Sequence, residues 1–310
     1  MSMGATGSDN GYDTLGHVAH PWNGNGAALN GNGHGAQGAR AIIFAGGRGT
    51  RLAPFTSVLP KPLMPIGDRA ILELVIKQLS DSGVADVTLC VGYLSHLIEA
   101  VVGDGSRHGV NVTYVREQEA LGTAAPLRLV EGLDKTFFAM NGDVLTTLDF
   151  GELLRHHRET GSMVTIATRE RPIQIDYGVL HLRPTGDRVY KYTEKPKSTA
   201  TVSMGIYVLE PEALEYIPEE GYFDFPDLVK ALLRARQPVG ALRFDGLWFD
   251  IGRRDDYEEA VTTWLQATME QNGNGNGNGH VNGNGAVHEL ATELVKGSGT
   301  SAGTADLEER

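Results

Sequence analysis

Between residues 40 and 271, short continuous apolar runs alternate with stretches of helical spacing. Residues 41–45 (AIIFA) predict a buried strand, because an apolar run this short is strand length. In residues 70–82, Ile71, Leu74, Val75 and the Gln78-Leu79 pair recur on one helical face. Residues 87–91 predict a second buried strand, and Ser95 is placed to cap a helix running to about residue 102. Residues 110–115 are strand-like and 124–131 helical. Residues 136–140 form another apolar run, ending at Asn141-Gly142-Asp143. Asp149 then precedes a helix to about residue 160 as its N-cap. Continuous apolar strands separated by helices predict an α/β domain whose mostly parallel sheet is covered on both faces.

The second half changes character. Residues 163–168, 177–182, 187–193 and 202–209 are strand-like and joined by short turns such as PTGD. They predict a smaller mixed or antiparallel extension. A helix starts at Asp224-Phe225-Pro226, strands follow near 239–244 and 247–250, and 254–271 predicts a last helix. No repeat of fixed period follows residue 271, so no hexapeptide β-helix is expected there.

Composition sets the flanks. Residues 1–39 are rich in Gly and Asn, which offer little to bury, and read as a disordered tail. Residues 272–310 open with an Asn-Gly linker, followed by AVHELATELV, long enough for a short helix but read as a frayed tail. The folded unit is placed at 40–271. The net charge of −12 over 310 residues argues against a nucleic-acid partner, which needs a basic face. A nucleotide site needs only a few local cations and stays open. The single cysteine, Cys90, lies in an apolar setting and reads as a small core residue, compatible with a reducing compartment. No run approaches the ~18 apolar residues of a membrane span, and the first residues lack the pattern of a signal peptide. The expectation is a cytoplasmic chain with no membrane partner; self-association is left open.

The chemistry concentrates after the first strand. Glycines 46, 47 and 49 let the backbone turn sharply, so that successive N–H groups can form an anion nest. A dinucleotide fingerprint from Gly47 would need glycine where Leu52 stands, and no Gly-Lys-Ser/Thr ending of a P-loop occurs. What stands is GGRGTRL followed by PKPLMPIG. Arg51 offers a planar fork for phosphate oxygens and Lys61 a compact charge between two prolines that restrict its backbone. Taken alone, GGRG reads as a tight turn with surface cations.

Two aspartates follow apolar strands: Asp143 in NGD and Asp250 in WFDIG. Mg²⁺ takes one or two carboxylates together with phosphate oxygens and water. Without further context the pair reads as a turn aspartate and a helix cap. Glu194-Lys195-Pro196 likewise reads alone as an exposed charged turn. His156-His157, flanked by Arg155 and Arg158, reads as a solvated helix face. Trp248 and Phe249 read as core or rim.

Together these motifs closely resemble the sugar-1-phosphate nucleotidylyltransferases (nucleoside-diphosphate-sugar pyrophosphorylases), in feel the mannose-1-phosphate guanylyltransferase-like members without a C-terminal β-helix. The resemblance covers about residues 41–265. It implies a Rossmann-like sheet of the nucleotide-diphospho-sugar transferase type. It implies nucleotide contacts from Ala45, Gly46, Gly47, Gly49, Thr50, Arg51, Lys61, Asp143 and the base-side group Glu117, Gly122 and Thr123. It implies sugar-phosphate contacts from Gly178, Glu194, Lys195, Ser203 and Gly205, and Mg²⁺ on Asp143 and Asp250. Arg51, Lys61 and Asp143 would be the catalytic set, and the partners a nucleoside triphosphate and a sugar 1-phosphate. The LGTA segment leans toward GTP. Open alternatives are dTTP or UTP with glucose 1-phosphate, a cyclitol or heptose phosphate acceptor, and an inactive regulatory subunit.

Overall fold

The computed structural model describes residues 35–252 and 254–273; of the tails expected over 1–39 and 272–310, residues 1–34 and 274–310 lie outside them. The described chain begins ahead of residue 40. Residues 35–38 form a turn, Ala36 is fully buried, and its N–H bonds to the Ser82 carbonyl at 3.1 Å.

Thirteen strands and five α-helices follow. In chain order the strands are β1 (Arg40–Phe44), β2 (Pro65–Ile66), β3 (Arg69–Ala70), β4 (Asp86–Val91), β5 (Asn111–Arg116), β6 (Phe137–Asn141) and β7 (Val144–Thr146). They continue as β8 (Val164–Gln174), β9 (Val179–Leu182), β10 (Val189–Thr193), β11 (Lys197–Leu209), β12 (Val239–Arg243) and β13 (Trp248–Asp250). The helices are α1 (Ile71–Asp81), α2 (Ser95–Val102), α3 (Phe150–Thr160), α4 (Phe225–Arg234) and α5 (Arg254–Gly273).

The main sheet runs β12-β8-β11-β6-β1-β4-β5, and only β11 is antiparallel to its neighbours. The mostly parallel mixed sheet expected from the apolar runs is therefore present. It is buried on two sides because β1 and β6 alternate their side chains between two apolar clusters. Ile43, Phe138 and Met140 pack with α1 and α3; Ile42, Phe137 and Ala139 pack with α4 and the 124–130 segment. Each large side chain removed from water contributes about 2 kcal/mol. Cys90 sits in the second cluster, where burial pushes its thiol up to about 12, so it is an inert core residue as expected.

The antiparallel extension differs in extent. β8 and β11 belong to the main sheet at one end and run out of it as a ribbon, pairing as far as Gln174 with Lys197. The β9–β10 hairpin forms a separate two-stranded sheet. The outer halves of β8 and β11 are polar and β-branched, so apolar runs did not reveal them.

Three local expectations are corrected. Residues 125–129 form a 3₁₀ turn instead of an α-helix. The N–H groups of Ala124 and Ala125 are both taken by the Phe223 carbonyl at 3.0 Å, and Pro126 has none to give. Ser95 does not cap α2; Leu94, in the left-handed region at φ 54°, precedes the helix and no side chain caps it. Asp149 does cap α3, accepting from Gly151 and Glu152 N–H.

His157 is the third correction: it is buried, not solvated, because α3 turns this position toward β8. Its Nδ1 lies 2.8 Å from Thr165 Oγ1 and its Nε2 3.0 Å from Glu210. Burial lowers its pKa, opposed by the Glu210 hydrogen bond and charge. The folded state thus keeps His157 neutral where an unfolded chain protonates it, below about pH 6.5. Its contribution to stability is complete above that pH and is lost as pH falls toward the depressed folded value. Thermal melts across about pH 7.5 to 5.5 should fall more steeply for the native protein than for His157→Gln; equal slopes would contradict this.

Candidate functional site

The site is built at the carboxyl ends of β1 and β6, where open α/β sheets present ligand-binding loops. Beyond β1, Ala45 N–H still bonds to Cys90 at 2.8 Å, and the chain then enters the glycine turn. A Cβ on Gly46 would come within 2.7 Å of Glu117 Oε1, so glycine is what lets this loop lie against that carboxylate. Gly49 stands at φ 60°. A Cβ there would meet Lys61 Cβ and Thr56 Cγ2, each at 3.0 Å. Its carbonyl accepts from Leu52 N–H and Thr56 Oγ1. The turn is therefore folded tightly onto the Pro60-Lys61-Pro62 segment.

A short 3₁₀ turn, Thr50–Leu52, follows. Leu52 is buried as its anchor and Arg51 is exposed. Another, Lys61–Leu63, buries Pro62 and Leu63 and turns Lys61 inward. Lys61 Nζ forms an ion pair with Asp143 Oδ2. Their side chains are only 12% and 19% exposed, so solvent screens the pair weakly.

Asp143 is placed by the turn after β6. Gly142 N–H bonds to the Phe44 carbonyl at 2.9 Å, which draws the Asn141-Gly142-Asp143 turn against the end of β1. Asp250 is brought alongside by the β7–β13 ladder, in which it faces Val144, and by Ile251 N–H bonding to the Asp143 carbonyl at 3.2 Å. Asp250 lies at the open rim. Partial burial raises its pKa first and the Asp143 charge second, while Lys61 and Arg51 oppose the rise. Asp143 Oδ1 is buried and has no hydrogen-bond partner among the described residues. A buried, unpartnered carboxylate oxygen beside a second carboxylate that feels its charge is a donor set suited to a hard divalent cation. No cluster of three or more acidic, His or Cys ligands occurs among the described residues, so such a cation would draw on its substrate for further ligands.

Of the sequence-predicted residues, the structure thus gathers Gly46, Gly47, Gly49, Thr50, Arg51, Lys61, Glu117, Asp143 and Asp250 around one edge. Gly122 and Thr123 are nearby in sequence logic but are held in a structural bracket. Thr123 N–H and Oγ1 both bond to Asp224 Oδ1, and Phe225 N–H bonds back to Thr123 Oγ1. Gly122 stands at φ 92°, and a Cβ there would sit 2.7 Å from the Phe223 carbonyl oxygen.

The sugar-side residues lie on the extension. Glu194 accepts from Tyr192 OH, and Gly178 leaves the space that the Tyr192 ring occupies. Lys195 is exposed with φ 40°; it has no hydrogen bond or ion pair to the Lys61–Asp143 cluster among the described residues. Ser203 Oγ is engaged by Gly205 N–H and lies 3.1 Å from Tyr207 OH. Gly205, at φ 74°, forms a bulge in β11 whose missing Cβ leaves room for Asn141.

Sequence reasoning missed several supporting residues. Gln78 on α1 donates to the Thr146 carbonyl at 2.5 Å and so steadies β7 behind both aspartates. Trp248 is buried as expected and also donates Nε1–H to Met204 O, tying β13 to the β11 bulge. The Gln78 periodicity placed it on the inner face; nothing in the sequence named its partner.

Comparison with known proteins agrees with the fold. Residues 40–267 match the family model described as Nucleotidyl transferase. The chain is 33% identical over 242 residues to a UTP–glucose-1-phosphate uridylyltransferase of Synechocystis, spanning 72% of this chain and 62% of that protein. It is 31% identical over 240 residues to a mannose-1-phosphate guanyltransferase of Saccharomyces cerevisiae, spanning 75% and 66%. The chain therefore covers just under two thirds of the length of these relatives. The structure of HddC from Yersinia pseudotuberculosis shares the fold, with a TM-score of 0.57 at 24% identity, over 73% of this chain and 99% of that one. The chain belongs to the nucleotidyl transferase family. No described helix is long and apolar enough to cross a membrane.

Proposed function

We propose that the chain transfers a nucleotidyl group from a nucleoside triphosphate to a sugar 1-phosphate, releasing pyrophosphate. A phosphate oxygen of the sugar 1-phosphate forms the new bond to the α-phosphorus as the bond from that phosphorus to the pyrophosphate oxygen breaks. The nucleophile is already anionic, so no covalent enzyme intermediate and no general base are needed. Catalysis rests on positioning and on charge stabilisation. The single observation that carries this reading is the convergence of Arg51, Lys61, Asp143 and Asp250 beside a glycine turn.

Each group has a role in that scheme. The N–H groups of the 45–50 turn cradle the phosphates, and Arg51 takes up charge on the leaving pyrophosphate. Lys61 holds Asp143 and meets the nucleotide phosphate beside it. Asp143 and Asp250 would hold Mg²⁺, whose chemistry when bound is to neutralise the phosphate charge at the reacting centre. Lys195 brings the sugar phosphate up against the repulsion of two anions, and Glu194, oriented by Tyr192, accepts from sugar hydroxyls. The full set of cations and carboxylates supports an enzyme over an inactive binding subunit.

GTP is the favoured nucleotide, with a mannose 1-phosphate-like acceptor. Glu117, pressed against Gly46 and raised in pKa chiefly by burial, accepts hydrogen bonds when ionised. Guanine offers adjacent N1–H and N2–H donors, whereas uracil and thymine offer one N–H between two carbonyls. UTP or dTTP with glucose 1-phosphate is the second reading, favoured by the uridylyltransferase among the relatives. Glu117→Gln should reduce the GTP-over-UTP ratio of kcat/KM by roughly tenfold or more; an unchanged ratio would remove Glu117 from base selection. Lys195→Ala should raise KM for the sugar phosphate and leave nucleotide KM close to native. A change confined to the nucleotide would contradict its role.

A further inference from the structure

We propose that residues 286–295 dock, through an apolar stripe, on the exposed face of the β9–β10 hairpin. This goes beyond the transfer reaction and does not rest on it. From residue 169 to residue 203 no residue is buried. In the hairpin, Leu180 pairs with Tyr192 and Leu182 with Val189, so these four side chains share one face. They are 54%, 59%, 49% and 53% exposed, respectively. An isolated two-stranded hairpin is marginal in water, and a contiguous apolar face of this kind marks a contact surface.

The occupant is identified by pattern and charge. In residues 286–295, Val287, Leu290, Ala291 and Leu294 follow i, i+3, i+4, i+7, the anchor spacing of a helix laid on an apolar surface. Glu289 and Glu293 fall together on the opposite side of that spacing. Residues 169–203 carry seven Lys and Arg against four Asp and Glu, a basic region in a chain of net charge −12. Residues 286–310 carry five Asp and Glu against two Lys and Arg. Arg183 and Arg188 flank the hairpin turn, where Arg183 N–H bonds to the Arg188 carbonyl at 2.9 Å. The Asn-Gly chain between α5 and residue 286 is 12 residues long, giving an extended reach of about 40 Å. Because Tyr192 belongs to this face and also donates to Glu194, the docked segment would adjoin a sugar-side residue.

Amide hydrogen exchange on the full chain tests this, comparing the native protein with Leu290→Asp/Leu294→Asp. Both changes lie outside the described residues. Peptides covering 179–182 and 189–193 should exchange roughly tenfold faster in the variant, at any protein concentration and with unchanged molecular mass. Glu289→Lys/Glu293→Lys should move exchange in the same direction at low salt. Equal exchange in native and double-Asp proteins would overturn the proposal. So would hairpin protection that grows with protein concentration alongside a doubled mass, which assigns the face to a second copy. Neither outcome depends on turnover.

Discussion

Asp143→Asn should lower pyrophosphate release by roughly a thousandfold while the protein stays folded. The argument is geometric. Oδ2 faces Lys61, and Oδ1 is buried without a partner among the described residues. An asparagine keeps the shape, removes the negative charge and points either an NH₂ at Lys61 or an NH₂ toward the cation position. Both are wrong in sign. Lys61 also loses its partner in a place where its side chain is 12% exposed, so a stability loss of about 1–3 kcal/mol is expected. For a domain of this size that is a melting shift of several degrees and not unfolding. The measurement is steady-state pyrophosphate release beside a thermal melt. Activity within about tenfold of native would remove Asp143 from the reacting centre.

Arg51→Ala is the second large effect: about 3 kcal/mol of transition-state stabilisation, a hundredfold or more in kcat. Arg51 is exposed and its 3₁₀ turn is anchored by Leu52, so the melting temperature should barely move. Arg51→Lys should restore only part of the rate, because an ammonium is a point charge and not a planar two-donor fork. Its comparison with Arg51→Ala separates charge from geometry. Full activity in Arg51→Lys would reduce the residue to a general positive field. Near-native activity in Arg51→Ala would contradict its assignment to the leaving group.

How much of this was legible depended on the range of the interactions. Residues 41–45, 87–91 and 136–140 gave the central parallel strands because each is buried on both faces and reads as an unbroken apolar run. Asp149 was legible as a cap because the cap is local. The outer halves of β8 and β11 were not, because their solvent-facing residues carry no apolar pattern. Residues 124–131 hold only a short 3₁₀ turn, Ala125–Leu129, tied to the Phe223 carbonyl, a contact distant in sequence that no local pattern announces. His157 was misjudged from its charged neighbours; its burial comes from β8 and Glu210. The glycine turn and its cations were readable as motifs. The Lys61–Asp143 pair and the Gln78 brace behind β7 exist only through tertiary packing.

The central claim is that one edge of the sheet joins a nucleotide to a sugar phosphate. The most direct measurement incubates the full chain with Mg²⁺, GTP and mannose 1-phosphate, in parallel with other nucleoside triphosphates and sugar 1-phosphates. It follows pyrophosphate and nucleoside-diphosphate-sugar together. The account predicts equimolar formation of both, dependent on each substrate and fastest with GTP. Absence of both products from every pairing, in a protein that melts cooperatively, would contradict it.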